Sequence, residues 1–394
     1  MVNYRVGIYG FLSFEDDEMP GNQGMKDQVM ALRWVKENIA YFGGDPNAIT
    51  LIGESAGGVS VYHHIISPLS DGLFHRAICE SGTSYNNWAI AAPGEARKYA
   101  VKLLAALGYN YFSTKEAVEF LRGKSPEEVV TALEHLRVWQ IDPVCMFKPV
   151  FESEGPNAFL NYPISSWKHK PVPLLIGMTS AEGLFRTQFF ELCNTDFKWL
   201  SNNFEKLAPM SLTYEETSSD PKKVTDSVRS YYLPNEAISQ DDWINLTTMY
   251  TDAIFSYGIL EGANRHPGQV YFYYFDYVGE YSFAGHRGKR KEDIVFGACH
   301  TDEIIYLFKH PKDLYNLKGE DLKLSEKLVT IWSNFAKSGS PSLGKNDLKW
   351  DPWTPDKHNF MNISNDGFKL TQGLAAEERC KFWKKIPFRD VIEK

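Results

Sequence analysis

Apolar positions along this chain recur with two different periods, and each period points to a type of element. Over residues 26–41, Val29, Leu32, Trp34 or Val35, and Ile39 fall at helical spacing behind the loop Pro20-Gly21-Asn22, and Gly43-Gly44 stops the run, so a helix is predicted. After the turn Gly44-Asp45-Pro46-Asn47 comes the short β-branched stretch Ile49-Thr50-Leu51-Ile52, then Gly53-Glu54-Ser55-Ala56-Gly57-Gly58, then helical character over residues 59–66. The order there is helix, strand, tight turn, helix. Residues 76–79, 173–177 and 270–275 read as buried strands separated by long helix-rich segments, and this alternation predicts an α/β fold with a mostly parallel sheet flanked by helices. Between roughly residues 95 and 260 the composition turns more charged, and residues 116–121 and 125–136 read as amphipathic helices. They are expected to be helical cap insertions within one domain spanning residues 1–394. A late helix over residues 324–337 places Leu328, Ile331, Trp332 and Phe335 on one face and ends at Gly339-Ser340-Pro341.

Composition narrows the class. With 394 residues, 43% hydrophobic and 14% aromatic, the chain can bury a large core, which argues against disorder. The balance of 42 Lys+Arg against 50 Asp+Glu gives a net charge of -8, and no basic cluster is interleaved with aromatics, so nucleic acid is not expected as a partner. No run of eighteen or more apolar residues predicts a membrane span, and the first residues, MVNYRVGIYGF, lack the pattern of a signal peptide. The residues do not choose between a cytoplasmic and a secreted location. Five cysteines (Cys79, Cys145, Cys193, Cys299, Cys380), odd in number and without a CxxC pair, disfavour a disulfide framework and a zinc site. No metal or cofactor is implied.

Gly53-Glu54-Ser55-Ala56-Gly57 fits G-x-S-x-G, the pattern in which a serine sits on a sharp turn between strand and helix. Glycine and serine are common enough that a chain this long shows the bare pattern by chance about one time in ten. Its position after an apolar strand and before a helix is what singles out Ser55, whose hydroxyl would meet the dipole and the Ala56 N–H of that helix. A serine needs a base to take its proton and a carboxylate to hold that base. In this arrangement both follow the serine, acid first, on loops after strands. Glu182, in Thr179-Ser180-Ala181-Glu182-Gly183 after the strand expected at 173–177, meets that condition. Of the histidines further on, His300 lies on a glycine-containing loop before an apolar run, whereas His286 is surrounded by Arg287, Lys289, Arg290 and Lys291, whose positive field opposes an imidazolium.

The residues are more specific than the bare pattern. Asn3-Tyr4-Arg5-Val6-Gly7 with Gly10-Phe11-Leu12, then PGNQGMKDQVMALRWVKENIAYFGGDPNAITLIGESAGGVSV, resembles the type-B carboxylesterase/cholinesterase family of α/β hydrolases. The likeness continues through Glu80-Ser81-Gly82-Thr83, residues 147–150, 179–185, 297–308 and 332–341, and the wording is similar to insect α-esterases and detoxifying esterases. It implies Ser55 as nucleophile, His300 as general base and then acid, Glu182 as its orienting carboxylate and Ala56 as an oxyanion N–H. Glu54 and Ser81 match positions lining or supporting the site. Trp88 matches the acyl-pocket side but fits plain core equally, and Trp353 reads as core. The substrate implied is a small-molecule carboxylic ester, xenobiotic or lipid-like, with organophosphate-type covalent inhibitors.

The family pattern also places on the order of a hundred residues before the point matching Met1, holding the first strands of the sheet and the HGGG-type loop that donates further oxyanion N–H groups. A strand ending at Asn3-Tyr4-Arg5 would then lack both neighbours, one of which would also separate it from the strand at 49–52, so exposed apolar faces are expected there. The alternative to an ester hydrolase is therefore a catalytically silent or sequestering member of the same family.

Overall fold

The computed structural model describes residues 1–394 apart from 162, 286–295, 311–313, 343–348 and 394. Among the described residues six strands form one sheet, β1 (Thr50–Glu54), β2 (Arg76–Glu80), β3 (Leu174–Thr179), β4 (Val270–Asp276), β5 (Asn359–Ser364) and β6 (Gly367–Gln372), neighbours in that order. β1 to β5 are parallel and β6 turns back antiparallel on β5.

Both faces of the sheet are covered over β2 to β5, which is why β2, β3 and β4 read as continuous apolar runs. Along β3, Leu174, Ile176 and Met178 enter one apolar cluster and Leu175 the other, and β2 divides Ala77 and Cys79 from Ile78 in the same way. Helix Ala56–Ile66 packs on the first face through Val59, Tyr62 and Ile65, and helix Gly319–Ser338 on the second through Leu328, Ile331, Trp332 and Phe335. Helices form at both stretches that read as amphipathic. Thr114–Arg122 and Pro126–Glu134 start behind Ser113 and Ser125, whose hydroxyls accept N–H groups of the first turn. Cys79, Cys145, Cys193 and Cys380 form no disulfide.

Two differences from expectation have physical causes. The strand implied at Asn3-Tyr4-Arg5 does not form, because no strand lies alongside it among the described residues. Arg5 instead binds Asp27 through its backbone N–H, Nε and Nη2 at 3.1, 2.8 and 2.7 Å. The β5–β6 hairpin carries little apolar signal, since β6 is largely exposed and the apolar residues of β5 that are buried are Phe360, Met361 and Ile363. The exposed apolar face expected near the chain start is present: among the described residues β1 pairs on one side, with β2, Ile52 is 43% exposed, and Met30, Trp34, Tyr41 and Phe42 also meet solvent.

Two features carry the sheet's order into the loops above it. Helix Trp243–Tyr250 widens into a π-helical turn, Thr251–Ser256, before continuing as Tyr257–Arg265. In that turn the Ile254 carbonyl accepts Asn86 Nδ2 and Trp88 Nε1 at 2.7 and 2.8 Å, and the Phe255 carbonyl accepts Asn86 Nδ2 at 3.0 Å. Helix Leu184–Leu192, which starts two residues after Glu182, is pinned by Arg186, whose Nη2 reaches Asp142 Oδ2 at 2.5 Å and Ser211 Oγ at 3.2 Å. Arg186 and Asp142 are fully buried. Asp142→Asn would leave the guanidinium charge without its counter-charge and is expected to cost about 3–5 kcal/mol in urea unfolding. Asp142→Leu with Arg186→Met should recover most of that loss, and equal losses in the two variants would refute the account.

Candidate active site

The chain leaves β1 at Glu54, turns at Ser55 with φ 56° and ψ -118°, and enters helix Ala56–Ile66. Side chains avoid that region of backbone space, so the turn must be held from outside. Ser55 N–H donates to the Glu80 carbonyl at the end of β2 at 2.8 Å. A Cβ on Gly53 would lie 2.3 Å from the Gly57 carbonyl, so the strand can approach the helix only without a side chain there. Gly57, by contrast, faces open space.

Ser55, His300 and Glu182, 245 and 118 residues apart in sequence, meet in one line. His300 Nε2 is 2.9 Å from Ser55 Oγ, and His300 Nδ1 is 2.6 Å from Glu182 Oε2. A proton on Nδ1 facing Glu182 leaves the Nε2 lone pair aimed at the hydroxyl. Glu182 is fully buried, and its Oε1 accepts Ser81 Oγ at 2.6 Å and Thr179 N–H at 2.8 Å. The loops carrying acid and histidine are stitched to each other: Ala181 N–H donates to Ala298 O at 2.9 Å, and Ala298 N–H to Ser180 Oγ at 2.9 Å. Asp302 caps the histidine turn by accepting Cys299 N–H at 2.8 Å. His286 lies outside the described residues, while His266 is buried elsewhere with Nε2 on Val172 O.

The other expected residues surround this line. Glu54 Oε1 accepts Thr301 Oγ1 at 2.9 Å and lies 3.3 Å from His300 Nε2. Ala56 is the first residue of its helix, where N–H groups have no intrahelical acceptor, and it lines a cavity of about 190 Å³ with Phe11, Met25, Val59, Trp88 and Phe147. Trp88 is therefore both buried and cavity-lining, with its indole N–H taken by Ile254 O. Trp353 is core: its ring stacks on His358 at 4.4 Å and its N–H reaches Asn264. Residues that sequence reasoning did not bring to the site include Phe255 and Phe185, whose rings lie 4.4 and 5.5 Å from the His300 ring, along with Thr301 and Glu303. Phe255 arrives through the π-helical turn, which left no mark in the apolar pattern.

Charge in this region is set by burial. Burial opposes a charged His300 ring, but the Glu182 carboxylate against Nδ1, helped by Glu54 and Asp302, outweighs it and raises the ring above its ordinary 6.5. Burial raises Glu54, with His300 pulling it back, and pushes Glu80 up to about 8 despite a hydrogen bond from Trp332 Nε1 at 2.7 Å.

A model of the carboxylesterase family matches residues 1–383. The chain belongs to that family. Among similar proteins, Esterase FE4 of Myzus persicae is 35% identical over 387 residues, 96% of this chain and 67% of that protein. Venom carboxylesterase-6 of Apis mellifera is 32% identical over 407 residues, covering 99% of this chain and 71% of that one. The crystal structure of juvenile hormone esterase from Manduca sexta, with OTFP covalently attached, superposes with a TM-score of 0.81 at 25% identity, covering 97% of this chain and 73% of that chain. The fold of this carboxylesterase-family member is that of the α/β hydrolases, and it is a carboxylic-ester hydrolase.

One consequence of the raised Glu80 carboxyl is a slope in stability. An unfolded chain ionises this group near its ordinary 4.5, whereas the folded chain keeps the proton up to about 8, so the folded state loses stability as pH rises across that window. Glu80→Gln is expected to gain stability relative to the parent chain as pH rises from about 5 to about 8, read from urea unfolding at several pH values. Parallel curves for the two proteins would contradict this.

Proposed function

We propose that Ser55, His300 and Glu182 hydrolyse carboxylic esters through an acyl-enzyme, with Ala56 N–H as an oxyanion donor. The observation that carries this reading is the unbroken hydrogen-bonded line from Ser55 Oγ through His300 to Glu182 Oε2. Ser55 Oγ attacks the ester carbonyl carbon while its proton passes to His300 Nε2. The developing oxyanion faces the Ala56 N–H and the positive end of helix Ala56–Ile66. His300 then gives the proton to the departing alkoxide. In the second half water attacks the acyl-Ser55 carbonyl as His300 takes its proton, and His300 passes that proton to Ser55 Oγ as the bond from Oγ to the acyl carbon breaks, releasing the acid. Glu182 keeps the ring in the required tautomer throughout, and Glu54 and the ring of Phe255 flank it.

The apolar walls of the cavity beside Ala56 favour neutral, xenobiotic or lipid-like esters over charged ones. The covalent ligand in the related juvenile hormone esterase supports a covalent route here. Organophosphate-type reagents, which mimic the tetrahedral intermediate, are the inhibitors this chemistry calls for.

Ser55→Ala is expected to lower turnover of a neutral p-nitrophenyl ester by about a millionfold. A fluorophosphonate should add once, at Ser55, as read by intact mass and peptide mapping. Retained turnover in Ser55→Ala would end the proposal, and stoichiometric labelling of the parent chain without turnover would turn it toward sequestration. His300 must be neutral to accept a proton, so activity falls as pH drops through its folded-state pKa. Because that value is raised, the acid limb of kcat/KM is expected to have its midpoint above pH 6.5. A midpoint at or below pH 6.5 would contradict the assignment of His300 as base with Glu182 behind it.

A further inference from the structure

Beneath the line of Ser55, His300 and Glu182 lies a second carboxyl that the reaction does not use. Glu303 is three residues after His300, is 1% exposed, and aims Oε1 at two hydroxyls, Tyr273 OH at 2.9 Å and Ser81 Oγ at 3.4 Å. Its Oε2 has no hydrogen-bond partner among the described residues. Ser81 is fully buried, its backbone held at φ 52° with its N–H on Gly177 O at 3.0 Å. Its hydroxyl stands between Glu303 and Glu182, and the Glu182 contact is the shorter at 2.6 Å.

A hydroxyl has one hydrogen. At 2.6 Å it belongs to Glu182 Oε1, in the range of a charge-assisted bond. The Ser81 oxygen then presents lone pairs to Glu303 Oε1, and two oxygens facing each other without a hydrogen repel. A proton on Glu303 removes the repulsion and turns the contact into a donor that directs the Ser81 hydrogen one way. We propose that Glu303 is a positioning residue of this site that carries a proton, orienting the Ser81 hydroxyl toward Glu182 so that, of the two carboxyls sharing that hydroxyl, the one on His300 Nδ1 receives its hydrogen.

The surroundings agree. Three other carboxyls face this buried space, Glu54 at the end of β1, Glu80 at the end of β2 and Glu182 after β3, and Tyr273 of β4 closes it. Burial first, and then the charge of Glu182, hold Glu303 well above the carboxylate range. Two carboxylates sharing one hydroxyl away from water cannot both stay ionised. The one that keeps its charge is the one with the Thr179 N–H and the His300 ring to receive it.

This inference rests on the triad assignment above for its kinetic readout, and a second readout does not. The experiment compares Glu303→Gln and Glu303→Ala in the whole chain by ester-hydrolysis kinetics and by NMR titration of the His300 ring, identified by its loss in His300→Gln. Glutamine keeps an N–H donor and a carbonyl in the same volume, so it is expected to rescue most of the activity lost in Glu303→Ala, where kcat falls about tenfold or more while KM stays within about twofold. The His300 ring should titrate in Glu303→Gln within about 0.3 units of the parent, since no charge has been removed. A fall of about one unit in that variant would mean that Glu303 is ionised, and would overturn the proposal. Damage in Glu303→Gln equal to that in Glu303→Ala, or full activity in Glu303→Ala, would overturn it as well. If Glu303→Ala does not fold, the glutamine titration decides alone. If the parent chain shows no turnover, the triad assignment fails by itself, and the ring titration still judges Glu303.

Discussion

The hydrogen bond from Ser55 N–H to Glu80 O fixes the turn around which the rest of the site is arranged. A serine at φ 56° and ψ -118° carries about 1–3 kcal/mol of backbone strain, more than one ordinary hydrogen bond returns. The difference is supplied by close packing: β1 can approach the following helix because Gly53 has no side chain, and the helix in turn lies on β2. Strand order and serine geometry are thus one problem. A sheet with β1 displaced from β2 would lose the acceptor at Glu80 and the turn would relax.

Burial then imposes a limit on charge. Taking carboxyls out of water disfavours their ionised forms, so a cluster of glutamates at the ends of β1, β2 and β3 cannot act as a pool of negative charge. The structure resolves this by giving donors unequally. Glu182 receives Ser81, Thr179 and the imidazole, whereas Glu80 has the Trp332 indole on one oxygen and nothing among the described residues on the other. The result is that most of the donors, and with them the strongest pull on His300, are gathered at Glu182, while burial raises Glu54 and Glu80.

Much of this was legible in the sequence because it depends on local order. The strand, turn and helix around Ser55 follow from apolar spacing and two glycine-rich junctions, and Glu182 and His300 stand at loop positions after buried strands. The likeness to a known family extended the reading to Glu54, Ser81 and Trp88. What could not be read depends on three-dimensional closure. β6 is too exposed to give an apolar signal, and an expected strand at residues 3–5 has no neighbouring strand among the described residues, with Arg5 bound to Asp27 instead. The pairing of Glu303 with Ser81 across 222 residues involves polar side chains with no period at all.

The π-helical turn at Thr251–Ser256 has a consequence that concerns residue count rather than side-chain identity. Such a turn holds one residue more than an α-helix needs, and each residue advances a helix by about 100°. Removing one residue there would give a more regular helix, yet it would rotate everything on one side of the deletion by that angle. The carbonyls that hold Asn86 and Trp88 and the ring that lies on His300 would no longer face the same way. Insertions and deletions in this segment are therefore constrained as tightly as substitutions in the hydrogen-bonded line, although the segment contributes no titrating group to that line.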